Sequence, residues 1–171
     1  MASAADRLAM VRSAVRGCPG LAASDLEVVS PRTSYSIHTL VKIRKLYPSA
    51  RLHFLLGTDA FLEIKTWREW RRVLDQCFFV VRARPGSSLK AARAVLEPEY
   101  RDRMASVRNA AEAETRIRAG QTILFLRIEA LPISSTGIRR RIREGRSIEG
   151  LVPRAVAARI KSAELYQEQE Q

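Results

Sequence analysis

Leu52-His53-Phe54-Leu55-Leu56-Gly57-Thr58-Asp59 decides the fold of this chain. Its apolar run is too continuous for a strand with one wet face, and it stops abruptly at a glycine followed by two polar residues. Such runs belong in parallel sheets covered on both sides. Cys77-Phe78-Phe79-Val80-Val81 repeats the pattern, followed by Arg82 and, after Arg84, the breaker Pro85-Gly86. Thr122-Ile123-Leu124-Phe125-Leu126, within the stretch 121–129, makes a third strand, and Leu26-Glu27-Val28-Val29 reads as a shorter one.

Helical patterns lie between and around these runs. Ser3-Ala4-Ala5-Asp6 is a capping box, with Leu8, Val11 and Val15 at helical spacing and Gly17 as the stop. After the loop Ser30-Pro31-Arg32-Thr33-Ser34, a second helix carries Ile37, Leu40, Val41 and Arg44 up to Tyr47-Pro48. A third is expected from Trp67 to Leu74. Residues 88–119, rich in alanine, arginine and glutamate with a break near Pro98, read as a helical excursion. A further helix opens at Ser134-Ser135-Thr136, and after Gly150-Leu151-Val152-Pro153 a last one carries Val156, Ile160 and Leu165. Strands alternating with helices predict an α/β fold, a doubly wound parallel sheet. The 171 residues suit a single domain with a sizeable core.

The formal net charge is +12, and the sequence pI is about 10.8. That balance attracts polyphosphate. Yet only five of the 30 basic residues are lysine, and arginines are spread through every segment among many alanines, as a coding bias would also produce. The one dense cluster is Arg139, Arg140, Arg141, Arg143 and Arg146. No apolar run approaches the roughly 20 residues that span a bilayer, and the first residues lack a basic segment leading into an apolar one. A cytoplasmic protein is expected. Cys18 and Cys77 stand apart, without the spacing of a metal site or a disulfide framework. His38 and His53 have no histidine neighbour and receive no chemistry.

In doubly wound sheets, ligands bind beyond the carboxyl ends of the strands. Gly57-Thr58-Asp59, Arg82 to Arg84 and Ile133-Ser134-Ser135 all follow strands, so three polar clusters are expected to converge on one rim. Pro132-Ile133-Ser134-Ser135-Thr136-Gly137-Ile138-Arg139-Arg140-Arg141 places hydroxyls at a helix start and arginines on its first turns, which is chemistry suited to phosphate. An ordinary capped helix with a solvated basic face would look the same. Trp67 and Trp70, three apart on the expected helix, could likewise be core packing, and Asp59 could be a helix cap.

Taken together and in order, several motifs resemble bacterial nicotinate-nucleotide adenylyltransferase. These are Ser34-Tyr35-Ser36 with Thr39-Leu40; Gly57-Thr58-Asp59 with Trp67 beyond it; Phe79-Val80-Val81 leading to Arg84-Pro85-Gly86; Ile133-Ser134-Ser135-Thr136 with Ile138-Arg139; and Leu151-Val152-Pro153. The match runs from Asp6 to Tyr166. It implies the nucleotidyltransferase (Rossmann-like) form of the fold and transfer of the adenylyl group of ATP to nicotinate mononucleotide. The products would be deamido-NAD and pyrophosphate, with Mg2+ accompanying ATP. Ser36 would lend a backbone amide to the nicotinate carboxylate, Trp67 would stack on the pyridine ring, and Asp59, with Gly57 in the same turn, would meet the nucleotide portion. Ser134, Thr136 and Arg139 would hold the ATP phosphates.

The resemblance also implies an N-terminal strand and a glycine-rich loop of the Gly-Gly-Thr-Phe-Asp-Pro-x-His-x-Gly-His type, which the sequence does not contain. The expectation is therefore a nucleotidyltransferase domain over residues 1–171 that is N-terminally incomplete and missing its first strands. Open apolar sheet edges should follow from this, as should poor turnover, with no catalytic residue and no metal ligand assigned in this chain. Two alternatives stay open: another nucleotidyltransferase of the superfamily, and a non-catalytic basic remnant that binds nucleotides or nucleic acid. The expected partners are nicotinate mononucleotide and ATP, with no membrane and no nucleic acid, and self-association is left open.

Overall fold

The computed structural model describes residues 2–31, 33–83, 89–127 and 131–167. Its elements in chain order are α1 (Ala4–Val15), α2 (Ser36–Leu46), β1 (His53–Gly57), α3 (Thr58–Leu62), a 3₁₀ turn (Ile64–Thr66), α4 (Trp70–Gln76), β2 (Phe78–Ala83) and α5 (Leu89–Val95). Then follow α6 (Pro98–Arg101), β3 (Met104–Val107), α7 (Ala110–Arg118), β4 (Ile123–Arg127), α8 (Ser135–Arg143) and α9 (Arg154–Ser162). These divide into two compact units, one made of Met1–Arg32 with Leu131–Gln171 and the other of Thr33–Ala130.

The Thr33–Ala130 unit holds a four-stranded, all-parallel sheet in the order β1-β2-β4-β3. Because side chains alternate across a strand, each apolar run supplies two faces. Phe79 and Val81 lie beside Ile123 and Phe125 on one face, and Ile37, Phe61, Ile64, Val73 and Leu74 from the helices close over them. The rings interlock: Phe54 stacks on Phe79 at 5.4 Å, and Phe61 meets Phe125 edge-on at 5.3 Å. On the other face Ala105, Val107 and Leu124 pack under Ala113 and Ile117 of α7. Toward β1 that second face is open, and Leu55, in register with Val80, is 73% exposed on an edge strand.

In the other unit, α1 begins as the sequence predicts. The Ser3 Oγ accepts from the Asp6 N–H at 3.0 Å, and its hydroxyl donates to Asp6 Oδ2 at 2.6 Å. Gly17, just past the helix, has φ +77°, a conformation that glycine adopts without steric cost. Arg159 of α9 reaches Asp6 Oδ1 at 3.2 Å, tying α9 to α1.

Three local expectations need correction. Leu26-Glu27-Val28-Val29 is a turn and not a strand, with the Val29 N–H donating to the Asp25 carbonyl at 3.0 Å. Asp25 pairs with Arg12 at 3.0 Å, and among the described residues of the unit there is no partner strand, so Val29 stays 70% exposed despite its β propensity. The helical reading of 88–119 misses β3, whose Met-Ala-Ser-Val sequence carries little strand signal. Pairing with β4 makes it a strand, anchored by Arg103, which bonds Thr122 Oγ1 at 2.9 Å, Asp75 at 2.8 Å and the Leu74 carbonyl at 2.9 Å. Finally, Trp67 is not on a helix. It stands in extended conformation between the 3₁₀ turn and α4, and Trp70 is the first residue of α4.

Candidate functional site

The carboxyl ends of β1 and β2 lie side by side, with Gly57 in register with Arg82. Here the chain turns directly from strand into α3. Thr58 is 2% exposed, and its hydroxyl donates to the Arg82 carbonyl at 3.0 Å, which fixes the turn to the neighbouring strand end. Gly57 takes the cap position of α3, so Asp59 is not the cap; it sits exposed in the first turn. Among the described residues, a Cβ added to Gly57 would meet nothing within 4 Å, so the space over this turn is open. Two of the three expected rim clusters thus meet within one unit, although Arg84 and the Pro85-Gly86 breaker lie outside the described residues.

Ser36 and Trp67 attach to the same core as Asp59. Ser36 is the first residue of α2, and the next residue, Ile37, is 1% exposed in the cluster that also takes Phe61 and Ile64. The N–H groups of a helix's first turn have no intrahelical acceptor, so the backbone at Ser36 points a donor outward. Tyr35 caps the helix through its carbonyl, which accepts from His38 at 2.9 Å and Thr39 at 3.2 Å. Trp67 is half-buried, its ring 5.7 Å from Phe54. Trp70 faces elsewhere, meeting Tyr100 at 5.5 Å and carrying Arg71 over its ring at 4.3 Å. Both tryptophans are half-buried against the same core, Trp67 beside Phe54 and Trp70 beside Tyr100.

Between them, Glu69 has φ +51°, a left-handed conformation that costs a non-glycine residue of order 1 kcal/mol. Its carboxylate pairs with Arg72. Nothing in the sequence signals this strained turn. Thr58 was legible only as part of a motif, since its buried hydroxyl bond depends on the neighbouring strand.

In the other unit, Ser134 is the N-cap of α8, its Oγ accepting from the Gly137 N–H at 3.1 Å. A Cβ at position 137 would come within 3.1 Å of that oxygen, so glycine lets the cap close tightly. The ordinary capping role is thus realised, and it leaves other first-turn donors free of the cap. Thr136 and Arg139 are exposed and adjacent, with Arg139 Nη2 3.5 Å from Thr136 Oγ1. Local partners occupy Arg140 and Arg146, which share Glu144 at 3.8 and 3.3 Å, and Arg141, whose Nε donates to the Ser147 carbonyl at 2.7 Å. Among the described residues Arg139 has no carboxylate partner. Among the described residues Arg143, on the last turn, also has no carboxylate partner, so of the five arginines Arg139 is the one that stands without such a partner near the helix start.

The cytidylyltransferase-like family model matches residues 1–141. A curated relative from Desulfatibacillum aliphaticivorans, named probable nicotinate-nucleotide adenylyltransferase, is 40% identical over 168 residues, covering 96% of this chain and 77% of the relative. One of the same name from Bordetella avium (strain 197N) is 33% identical, covering 96% of this chain and 74% of the relative. The chain belongs to the nicotinate-nucleotide adenylyltransferase family. Its fold is that of the solved Plasmodium falciparum nicotinic acid mononucleotide adenylyltransferase complexed with APC, at a TM-score of 0.64 and 16% identity, covering 97% of this chain and 77% of that one. This family membership bears out the doubly wound nucleotidyltransferase reading, and the parallel sheet and its flanking helices agree with it.

Other reactive side chains stand away from these positions. Burial pushes the Cys77 thiol up to about 11, and its Sγ lies 3.9 Å from the Val73 carbonyl, so it is an inert core residue. His53 stacks on Phe78 at 5.3 Å, and burial, with Arg51 next in weight, holds its pKa below the ordinary value. Among the described residues no group of three or more His, Cys, Asp or Glu is placed to hold a metal, and no helix is long and apolar enough to cross a membrane.

Proposed function

We propose that this chain serves adenylyl transfer from ATP to nicotinate mononucleotide in NAD biosynthesis. A phosphate oxygen of the mononucleotide attacks the α-phosphorus of ATP, the bond to the β-phosphate oxygen breaks, and deamido-NAD and pyrophosphate leave. Such transfers proceed by positioning and charge neutralisation, without a covalent enzyme intermediate. The observation that carries the reading is Trp67, half-buried on Phe54 but off the helix, next to a core that also anchors Ser36 and Asp59. Its indole face suits a positively charged pyridine ring. Ser36 offers its backbone N–H to the nicotinate carboxylate, and Asp59, with Gly57 open beneath it, meets the nucleotide portion. Ser134 holds the start of α8 in shape, and Thr136 and Arg139 receive the ATP phosphates there. Mg2+ enters as part of the ATP complex, and the reaction belongs in the cytoplasm.

Two solved structures of the Plasmodium enzyme are complexed with APC and with NaAD, in agreement with this assignment of ligands. Calorimetric titration of the chain separately with nicotinate mononucleotide, nicotinamide mononucleotide and phosphopantetheine tests it. Preference for the nicotinate form is expected. Tighter binding of phosphopantetheine would move the chain to another branch of the nucleotidyltransferases.

A further inference from the structure

Two segments distant in sequence, already packed on one core, are also joined at their surface by a contact that their motifs do not reveal. The Arg68 guanidinium lies over the Tyr35 ring, 4.9 Å from its centroid. Tyr35 is the cap residue immediately before Ser36, and its ring also touches His38 edge-on at 5.7 Å. Arg68 immediately follows Trp67, whose N–H is bonded to the Ile64 carbonyl at 3.0 Å. On its other side the turn is set by Glu69, left-handed, paired with Arg72 and 3.9 Å from Arg68 Nε. Arg68 therefore joins the two backbone segments that carry Ser36 and Trp67.

We propose that Arg68 is a positioning residue for the pyridine mononucleotide, fixing the α2 start and the Trp67 turn at the separation the ligand spans. This rests on the assignment of Ser36 and Trp67 to that ligand. An exposed cation–π contact adds little to folding stability by itself. Its effect should appear where a ligand needs both arms at once, because a site ordered in advance spends less binding energy on ordering. The positive charge also suits an acidic ligand, but the argument requires only the clamp.

The test is calorimetric titration of the full chain with nicotinate mononucleotide and, separately, with ATP, together with thermal melts. Arg68→Ala should raise the Kd for the mononucleotide about two- to fivefold, the size of an exposed cation–π contact. The Kd for ATP should stay within about twofold, and Tm should shift by no more than about 2 °C, as for a surface change. Arg68→Lys, which keeps a cation, should recover much of the loss. Tyr35→Leu should match Arg68→Ala, and the double variant should be no worse than either single one, because both remove the same contact.

Additive losses, or equal losses for ATP, would overturn the inference. So would an unchanged mononucleotide Kd in Arg68→Ala; if Trp67→Ala still weakened that ligand, the assignment of the ligand itself would stand. A parent chain that binds no mononucleotide would overturn both together.

Discussion

The two units hold the positions proposed for binding in different ways. In the Thr33–Ala130 unit, Ser36, Asp59 and Trp67 hang on a core of aromatic and aliphatic side chains, and Phe61, Ile64, Val73, Leu74 and Phe79 are completely buried. In the other unit α8 has no buried residue, and Ser134, Thr136 and Arg139 are placed by the helix's own backbone and its cap. Shape recognition of a flat ring needs a wall that packing holds still. Recognition of phosphate needs donors and charge, which a single capped helix can present.

The largest effect that would break this comparison is on stability. Phe79→Ala should cost about 3–5 kcal/mol in chemical denaturation, as for a fully buried phenylalanine, whereas Arg140→Ala should stay within about 0.5 kcal/mol. Equal losses would mean that α8 is supported as the sheet is. Next is Trp67→Ala, expected to weaken nicotinate mononucleotide by about ten- to a hundredfold on the scale of base–aromatic stacking while sparing ATP. Parallel losses of both ligands in calorimetry would make Trp67 a packing residue. Arg139→Ala should weaken ATP about tenfold, the worth of a hydrogen bond to a charged group, and leave the mononucleotide unaffected. An unchanged ATP affinity would remove the phosphate role of α8.

The smallest effect concerns acid. The Ser3 hydroxyl first, and then Arg159, hold the Asp6 carboxyl below its ordinary value of 3.8. A depressed folded-state pKa gives stability that is present above the unfolded value and lost as pH falls through the folded one. The Tm gap between the parent and Asp6→Asn should therefore be constant near neutrality and narrow only as pH drops below about 3.8. A gap that closes between pH 5 and 7 would mean that a different group links α1 and α9.

Much of this was legible in the chain. The apolar runs ending at Gly57, at Arg82 and near Arg127 marked three of the four strands; β4 is buried on both faces as such a run predicts, whereas edge strand β1 leaves His53 and Leu55 exposed on one face, against the expectation of a sheet covered on both sides. Ser3 and Ser134 announced their caps through local spacing alone, and the ordered motifs led to the adenylyltransferase family. The residues proposed for the site come from the sequence motifs, and their geometry does not. The expectation of helix from Trp67 to Leu74 would have put both tryptophans on one surface. Three polar clusters were expected on one rim; the turn at Gly57 and the end of β2 meet, and Ser134 belongs to the other unit.

By itself, then, the sequence determined what depends on near neighbours: apolar periodicity, capping chemistry, the arginine-rich helix start and the family's motifs. Tertiary structure alone decided what depends on distant partners. Leu26–Val29 forms a turn, since among the described residues no strand runs beside it, and Met104–Val107 became a strand because β4 pairs with it. The left-handed turn at Glu69 took Trp67 off the helix, and Arg68 came to rest over Tyr35. Strand pairing, burial and ring contacts are energies between residues far apart in the chain, and no local pattern encodes them.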